Sequence, residues 1–221
     1  ARSITRPLGW VTEAARTLTT GDIALTGFDA ARRAAIAARG DEVGEIGRAF
    51  EDLADYIGGT AHAAERIAQG DLGVRIEPRS ERDTLGCAMV AMRDSIQGLV
   101  DETKRLTEAA TAGQLDTRGD ATKFEGAYRE IVQGVNDTLD AVIGPLNVAA
   151  EYVERIAQGN IPAKITDTYR GDFNEIKNNL NTCIEALRGL ESGLQVAIAG
   201  QQAGDVEARC KTEGLHGIYG E

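Results

Sequence analysis

Aromatic residues and long apolar runs are scarce in this chain of 221 residues. Aromatics make up 5% of the sequence and there is a single tryptophan, Trp10, so one large compact core is not expected. No run of about 18 consecutive apolar residues occurs, which excludes a membrane span or a signal peptide within this segment. Alanine, glycine and leucine are frequent instead, as they are in long helices that share a narrow apolar seam.

Positive charge and clustered metal ligands are also scarce. A formal net charge of -11 leaves no basic face for a phosphate backbone, so we expect no nucleic-acid partner. Cys87, Cys183 and Cys210 form no CxxC pair and are predicted to be reduced packing residues in a cytosolic setting. His62 and His216 fit no zinc spacing and lie near no nucleophile. We therefore predict no enzyme, no catalytic, metal or cofactor site and no small-molecule ligand.

The sequence repeats itself. Residues 65–76 (ERIAQGDLGVRI) and 154–165 (ERIAQGNIPAKI) are identical at seven of twelve positions, 89 residues apart. Within this longer period, a short glycine motif recurs at steps of 49, 43, 46 and 45 residues, which indicates an array of modules. The five motifs are Gly21-Asp22-Ile23, Gly70-Asp71-Leu72, Gly113-Gln114-Leu115, Gly159-Asn160-Ile161 and Gly204-Asp205-Val206.

Each motif glycine follows a predicted helix. Ile4, Leu8, Val11, Ala15 and Leu18 have the 4-3-4-3 spacing of a coiled-coil a/d seam. A glycine just past such a run accepts the left-handed conformation that stops a helix. A connector of roughly 12 to 20 residues follows, and then a second heptad run that continues into the next module. The junctions are thus predicted to be single helices of about 25 to 35 residues.

The a/d positions of these runs are called the seam below. At three junctions they keep one phase, whereas near Val135 two successive steps of four indicate a stutter. The seam residues of the four long helices are Val43, Ile46, Phe50, Leu53, Ile57, Thr60, Ala64 and Ile67; Leu85, Met89, Met92, Ile96, Leu99, Thr103, Leu106 and Ala110; Tyr128, Ile131, Val135, Leu139, Val142, Leu146, Ala149, Val153 and Ile156; and Phe173, Ile176, Leu180, Cys183, Leu187, Leu190, Leu194 and Ala197.

A seam of two positions in seven buries too little surface for one chain, so helix partners are required. The connectors are long enough to run back along a helix of about 24 Å, which lets both helices of a module point the same way. We therefore predict an all-α fold of consecutive parallel four-helix coiled-coil bundles formed by a homodimer. The alternative is an up-down bundle with loose loops. The connector residues predicted to pack on the bundle are Ile23 and Ile36, Leu72 and Ile76, Leu115 and Phe124, Ile161 and Ile165, and Val206 and Leu215.

These features resemble the HAMP family over essentially the whole chain. A heptad helix opens near Pro7, a Gly-Asp-Ile or Gly-Asp-Leu stop follows, and a second helix begins at Asp41-Glu42-Val43-Gly44. Residues 131–140 (IVQGVNDTLD) are similar to multi-HAMP methyl-accepting chemotaxis receptors. The resemblance implies five modules, at residues 1–57, 58–99, 100–143, 144–189 and 190–221, the last of them truncated.

The resemblance also implies a function. In such a receptor the first helix receives motion from a membrane helix, and the bundle relays it to a C-terminal output module coupled to a chemotaxis kinase complex. The chain would then be the cytoplasmic portion of an inner-membrane receptor. The same relay in a sensor histidine kinase or cyclase is an alternative, and a passive coiled-coil spacer is another. The residues implied in signal coupling are Pro7, Gly21, Ile23, Glu42, Gly44, Gly70, Leu72, Glu81, Gly113, Leu115, Pro145, Gly159, Ile161, Asp172, Gly204 and Val206.

Overall fold

The part of the chain that the structure describes consists of α-helices joined by connectors. The structure is a computed structural model that describes residues 2–22, 25, 29–205 and 207–210. In those residues there is no β-strand, which confirms the predicted all-α class, and no helix is long and apolar enough to cross a membrane. The helices are α1 (Arg2–Thr19), α2 (Ala30–Ala37), α3 (Glu42–Ala68), α4 (Thr84–Thr111), α5 (Gly126–Ala157) and α6 (Asp172–Gln202), with a 3-10 helix at Ala121–Lys123.

The long helices confirm the predicted junctions. The four helices α3 to α6 contain 27, 28, 32 and 31 residues, each long enough to serve two successive modules. α5 continues through Pro145, and Pro7 lies within α1, although each proline removes one N–H donor from its helix.

The five motif glycines end helices as predicted. Their φ angles are 90° at Gly21, 86° at Gly70, 75° at Gly113, 74° at Gly159 and 91° at Gly204, a region that other residues rarely adopt. At the second of these stops, the N–H groups of Gly70 and Asp71 donate to carbonyl oxygens of the last helical turn, each at 2.9 Å. These two bonds satisfy carbonyls that a helix end otherwise leaves open.

The chain divides into two compact units, Ala1–Glu108 and Ala109–Glu221. In each unit the connectors pack on the long helices and supply part of the core. One cluster of the first unit joins Val74 of a connector to Ala63 and Ile67 of α3. In the second unit the fully buried side chains are Ile184 of α6 and Pro162 of a connector.

The large apolar side chains that stay exposed follow the predicted seam. Fifteen such residues are exposed in the described part of the chain, and only Leu115, Val196 and Ile198 lie off the seam. The single chain therefore covers the connector side of its helices and leaves much of the seam open, although Val43, Ile67 and Ala197 of the seam are buried. The twelve exposed seam residues are Leu8, Ile46, Leu53, Leu85, Met92, Ile131, Val135, Val142, Leu146, Val153, Ile176 and Leu194.

The cysteines do not pack within the chain as predicted. Cys87, Cys183 and Cys210 are free and exposed. Cys183 lies on the seam of α6, which a single chain leaves open, and Cys87 lies between the seam positions Leu85 and Met89 of α4.

Candidate signal-coupling site

The start of α3 brings together two of the predicted signal-coupling residues. Asp41 caps the helix by accepting a hydrogen bond from the Gly44 N–H at 3.2 Å, and the Arg39 guanidinium binds the same carboxylate. The Arg39 side chain, followed by the Gly44 N–H, lowers the pKa of Asp41 to about 2. A Cβ atom at Gly44 would lie 2.1 Å from the Arg39 carbonyl oxygen, so only glycine fits. Glu42 is exposed in the first turn, where the helix dipole favours a carboxylate.

The same cap opens α4, but at a residue that the sequence analysis missed. Asp83 accepts a hydrogen bond from the Gly86 N–H at 2.9 Å, as Asp41 does from Gly44. Glu81, which matches the helix-opening Glu42 by heptad alignment, is exposed in the turn before α4. The heptad alignment placed the helix start three residues too early. The repeated Asp-x-x-Gly motif is the signal that identifies the correct position.

The later helices begin differently. Among the described contacts, the N-cap residues of α5 and α6, Glu125 and Gly171, make no side-chain capping bond. Asp172 is the first residue of α6 and is exposed, so it can interact with the helix dipole. The first turn of α5 contains no acidic residue. By heptad alignment, Ala127 stands there at the position that Glu42 occupies in α3. The acidic helix start is therefore not common to all modules.

Two asparagines hold the connectors of the second unit. The Asn136 amide accepts a hydrogen bond from the Gly119 N–H at 2.7 Å and donates one to the Gly119 carbonyl at 2.9 Å. Asn181 makes the same two bonds to the backbone of Ile165, at 2.7 and 3.0 Å. We call this arrangement the asparagine clamp. Each clamp satisfies both backbone groups of one connector residue, which fixes the connector against one level of the helix.

An ion pair lies one helical turn beyond each asparagine. The guanidinium of Arg118 donates to Asp140 at 2.6 and 2.8 Å, and Lys164 pairs with Glu185. Each cation directly precedes the connector residue held by the asparagine, and the two clamps are 45 residues apart in the sequence. The second unit therefore uses one connector contact twice.

The described connectors of the first unit have no asparagine clamp and are held by arginines, a contact that the second unit also has, from Arg188 to the Pro162 carbonyl at 3.2 Å. Arg48 of α3 donates to the carbonyl oxygens of Ala37 and Arg39, at 2.7 and 2.9 Å. Arg93 of α4 donates to the Val74 carbonyl at 3.2 Å. On the connectors both arginines bond carbonyl oxygens, Arg93 also pairs with Asp94 of its own helix, and Arg48 is exposed to solvent. The contact therefore leaves the connector N–H groups to other partners.

The predicted connector anchors fall into three groups. Ile36, Phe124 and Ile165 are buried as predicted, while Leu72, Ile76 and Ile161 are half-buried. Leu115 is 41% exposed, so its prediction as an anchor is wrong for the single chain; the clamp at Gly119 holds that connector instead. Ile23, Val206 and Leu215 lie outside the described residues. The sequence analysis missed the buried anchors Leu25, Val74 and Pro162.

Family comparison decides what these modules are. A family model described as HAMP domain matches residues 1–59 and 56–98, and a second model with the same description matches residues 123–189. The chain is a tandem array of HAMP domains. HAMP domains relay signals in the cytoplasmic part of membrane receptors and are not themselves catalytic. The second match contains both clamp asparagines, Asn136 and Asn181.

Proposed function

We propose that this HAMP array works as a parallel homodimer in a transmembrane chemoreceptor, where it transmits conformational change from a membrane helix to a cytoplasmic output domain. The observation that supports the proposal is the open seam. Twelve large apolar side chains on the seam are exposed in a single chain. Burying such side chains stabilises an assembly by about 25 cal/mol per Å² of apolar surface, which is ample reason for a partner.

A second copy of the chain is the partner that best fits this seam. In a parallel pair, each a or d residue faces its own counterpart or the neighbouring seam layer, as knobs-into-holes packing requires. Two helices from each chain then complete a four-helix bundle in every module. The connectors stay on the outside, where the asparagine clamps and arginine contacts already hold them.

The chemoreceptor is preferred to a sensor kinase or a cyclase because residues 131–140 resemble multi-HAMP chemotaxis receptors. The output module proposed to lie C-terminal to the array decides between them. Glutamate- and glutamine-rich heptads with a long antiparallel hairpin indicate a chemoreceptor coupled to a chemotaxis kinase complex. A phospho-accepting histidine box indicates a kinase. A passive spacer has no need for repeated glycine stops or for connectors that are hydrogen-bonded to the helices.

Cysteine crosslinking tests the dimer and its direction. Cys183 lies on the seam and Cys87 lies off it, and both thiols are exposed. In a variant that keeps only Cys183 (C87S/C210S), a short bis-maleimide should link two chains, because a parallel in-register pair places the two Cys183 residues at one level. The matched control keeps only Cys87 (C183S/C210S) and should give little dimer. Equal yields from both variants, or a monomer by light scattering, would contradict the proposal.

Module deletion in the full-length receptor tests the relay. Joining Ala64 to Glu154 removes residues 65–153, a stretch of 89 residues, and restores ERIAQG at the splice. Because this removes one full sequence period, kinase or motility output should keep its sign. Removing residues 70–112 deletes a single module and should lock or invert the output. A relay that ignores module order would behave identically in the two deletions.

A further inference from the structure

Three hydrogen-bond donors converge on the carboxylate of Asp83, just before α4. The Tyr56 hydroxyl, on α3, donates to this carboxylate from a position 27 residues earlier in the sequence. The backbone N–H groups of Arg79 and Gly86 donate to it at 2.8 and 2.9 Å. The bond from Gly86 makes Asp83 the cap of α4. The residue that caps α4 therefore also binds a side chain of α3.

Arg79 makes a second link to the same stretch of α3. Its guanidinium carbon lies 4.6 Å from the centre of the Tyr56 ring, and its Nη2 donates to the Asp52 carbonyl at 2.9 Å. A cation over an aromatic face is attracted by the ring. Asp52 and Tyr56 are one helical turn apart, so Arg79 and Asp83 together hold a single turn of α3.

We propose that Tyr56, Arg79 and Asp83 form a latch between the first and second modules, through which the position of α3 sets the first turn of α4. This inference rests on the proposed relay function and names a route within it. A movement of α3 can reach α4 along the chain, through the end of α3 and the connector that follows it. The latch provides a second and shorter route, because a rotation of α3 about its axis moves the Tyr56 hydroxyl away from Asp83. The carboxylate then loses one of its three donors.

The charge state and the local packing both support the latch. The Tyr56 hydroxyl, followed by the Gly86 and Arg79 N–H groups, lowers the pKa of Asp83, while Asp83 raises the pKa of Tyr56. The carboxylate therefore stays ionised and the phenol stays protonated, which is the pairing of a charge-assisted hydrogen bond. A Cβ atom at Gly86 would lie 2.5 Å from an Asp83 carboxylate oxygen and 3.0 Å from the Pro78 Cα. Glycine at position 86 therefore leaves the space that the Asp83 carboxylate occupies.

Cys87 provides a natural reporter of the latch. It is exposed in the first turn of α4, and its N–H donates to the Asp83 carbonyl at 2.9 Å. In the C183S/C210S chain, a nitroxide on Cys87 reports mobility, and hydrogen exchange reports opening at the Gly86 N–H. Tyr56→Phe removes the hydroxyl but keeps the ring beneath Arg79. It should make the label more mobile and speed Gly86 exchange roughly tenfold, as expected for one lost hydrogen bond to a charged group.

Tyr152→Phe, on α5 in the other unit, is the matched control and should change neither signal. The inference is overturned if Tyr56→Phe leaves both signals unchanged, or if the control changes them equally. Arg79→Gln provides a second variant. If the three residues act as one unit, the double variant Tyr56→Phe/Arg79→Gln speeds exchange by less than the product of the two single effects. A double variant that shows the full product contradicts a latch. Because both readouts are local and need no output module, failure here is distinguishable from failure of the crosslinking or deletion tests.

Discussion

The two units of this array solve the same problem with different chemistry. Each must hold a connector against its second helix, and the first unit does so with arginines, such as Arg48, that reach connector carbonyls. The second unit has one such arginine contact, from Arg188 to the Pro162 carbonyl, and adds Asn136 and Asn181, each of which bonds both the N–H and the C=O of one connector residue. Asn136 is only 8% exposed, whereas Arg48 is open to solvent.

This difference indicates which connectors can shift. When an exposed guanidinium leaves a carbonyl, water can bond both groups. The free-energy cost is small, because hydrogen bonds to protein and to water are similar in strength. Water cannot replace a buried amide in the same way. When the connector separates from it, buried polar groups are left without hydrogen-bond partners, which costs free energy. We therefore expect the connector that Arg48 holds to open more readily than the two that the asparagines hold.

The largest effect should come from breaking a clamp. Asn136→Ala leaves the buried Gly119 N–H without its partner, whereas the Gly119 carbonyl keeps the Ala121 N–H at 3.2 Å. At about 1 to 3 kcal/mol for a buried group left unsatisfied, the local opening free energy should fall by about that amount. Native-state hydrogen exchange at the Gly119 N–H measures it directly.

The matched variant in the first unit is Arg48→Ala. It removes two hydrogen bonds from an exposed side chain, and water can replace both at the connector carbonyls. Opening of the first connector should therefore become easier by less than half the effect of the clamp variant. If the two substitutions have equal effects, the distinction between the units is wrong.

Two glycine substitutions should have opposite effects in the two units. Gly44→Ala in α3 forces a Cβ atom to within 2.1 Å of the Arg39 carbonyl oxygen, and relieving such overlap costs about 1 to 3 kcal/mol. Gly134→Ala in α5 meets nothing within 4 Å, so it should stabilise the helix by about 0.5 to 1 kcal/mol through propensity alone. Thermal melts followed by circular dichroism compare the two, and a stabilising Gly44→Ala would disprove the fit.

The smallest effect concerns acid. In the folded chain the pKa of Asp41 is about 2, below its ordinary value of 3.8, so the proton binds more tightly to the unfolded chain. Its stabilisation is therefore complete above pH 3.8 and is lost as pH falls towards about 2. Asp41→Asn keeps an N-cap acceptor for Gly44 but removes the charge. Helix content from pH 5 to 2 should then fall less steeply than in the unaltered chain, and identical slopes would contradict the assignment.

Local patterns in the sequence predicted the helices and their ends but not the contacts that hold the connectors. Heptad spacing and glycine stops depend on neighbouring residues, so the long helices and the positive φ at Gly70 followed directly. Asn136 and Asn181 could not be singled out, because nothing near them in the sequence shows which connector backbone they meet. The start of α4 was misplaced for a related reason. A heptad continues through a helix start, and only the cap at Asp83 marks where the helix begins.

The connector contacts also bear on how the chain folds during synthesis. Among the described residues, the side-chain hydrogen bonds that tie connectors to helices join residues at most 27 positions apart. Loops of that size close quickly, and chains dominated by such contacts fold fast for their length. A connector can therefore dock as soon as the following helix leaves the ribosome, before the next module has been translated. Duplicating a module adds another such step without lengthening any earlier one, so arrays of this kind can grow by repetition with no penalty in folding speed.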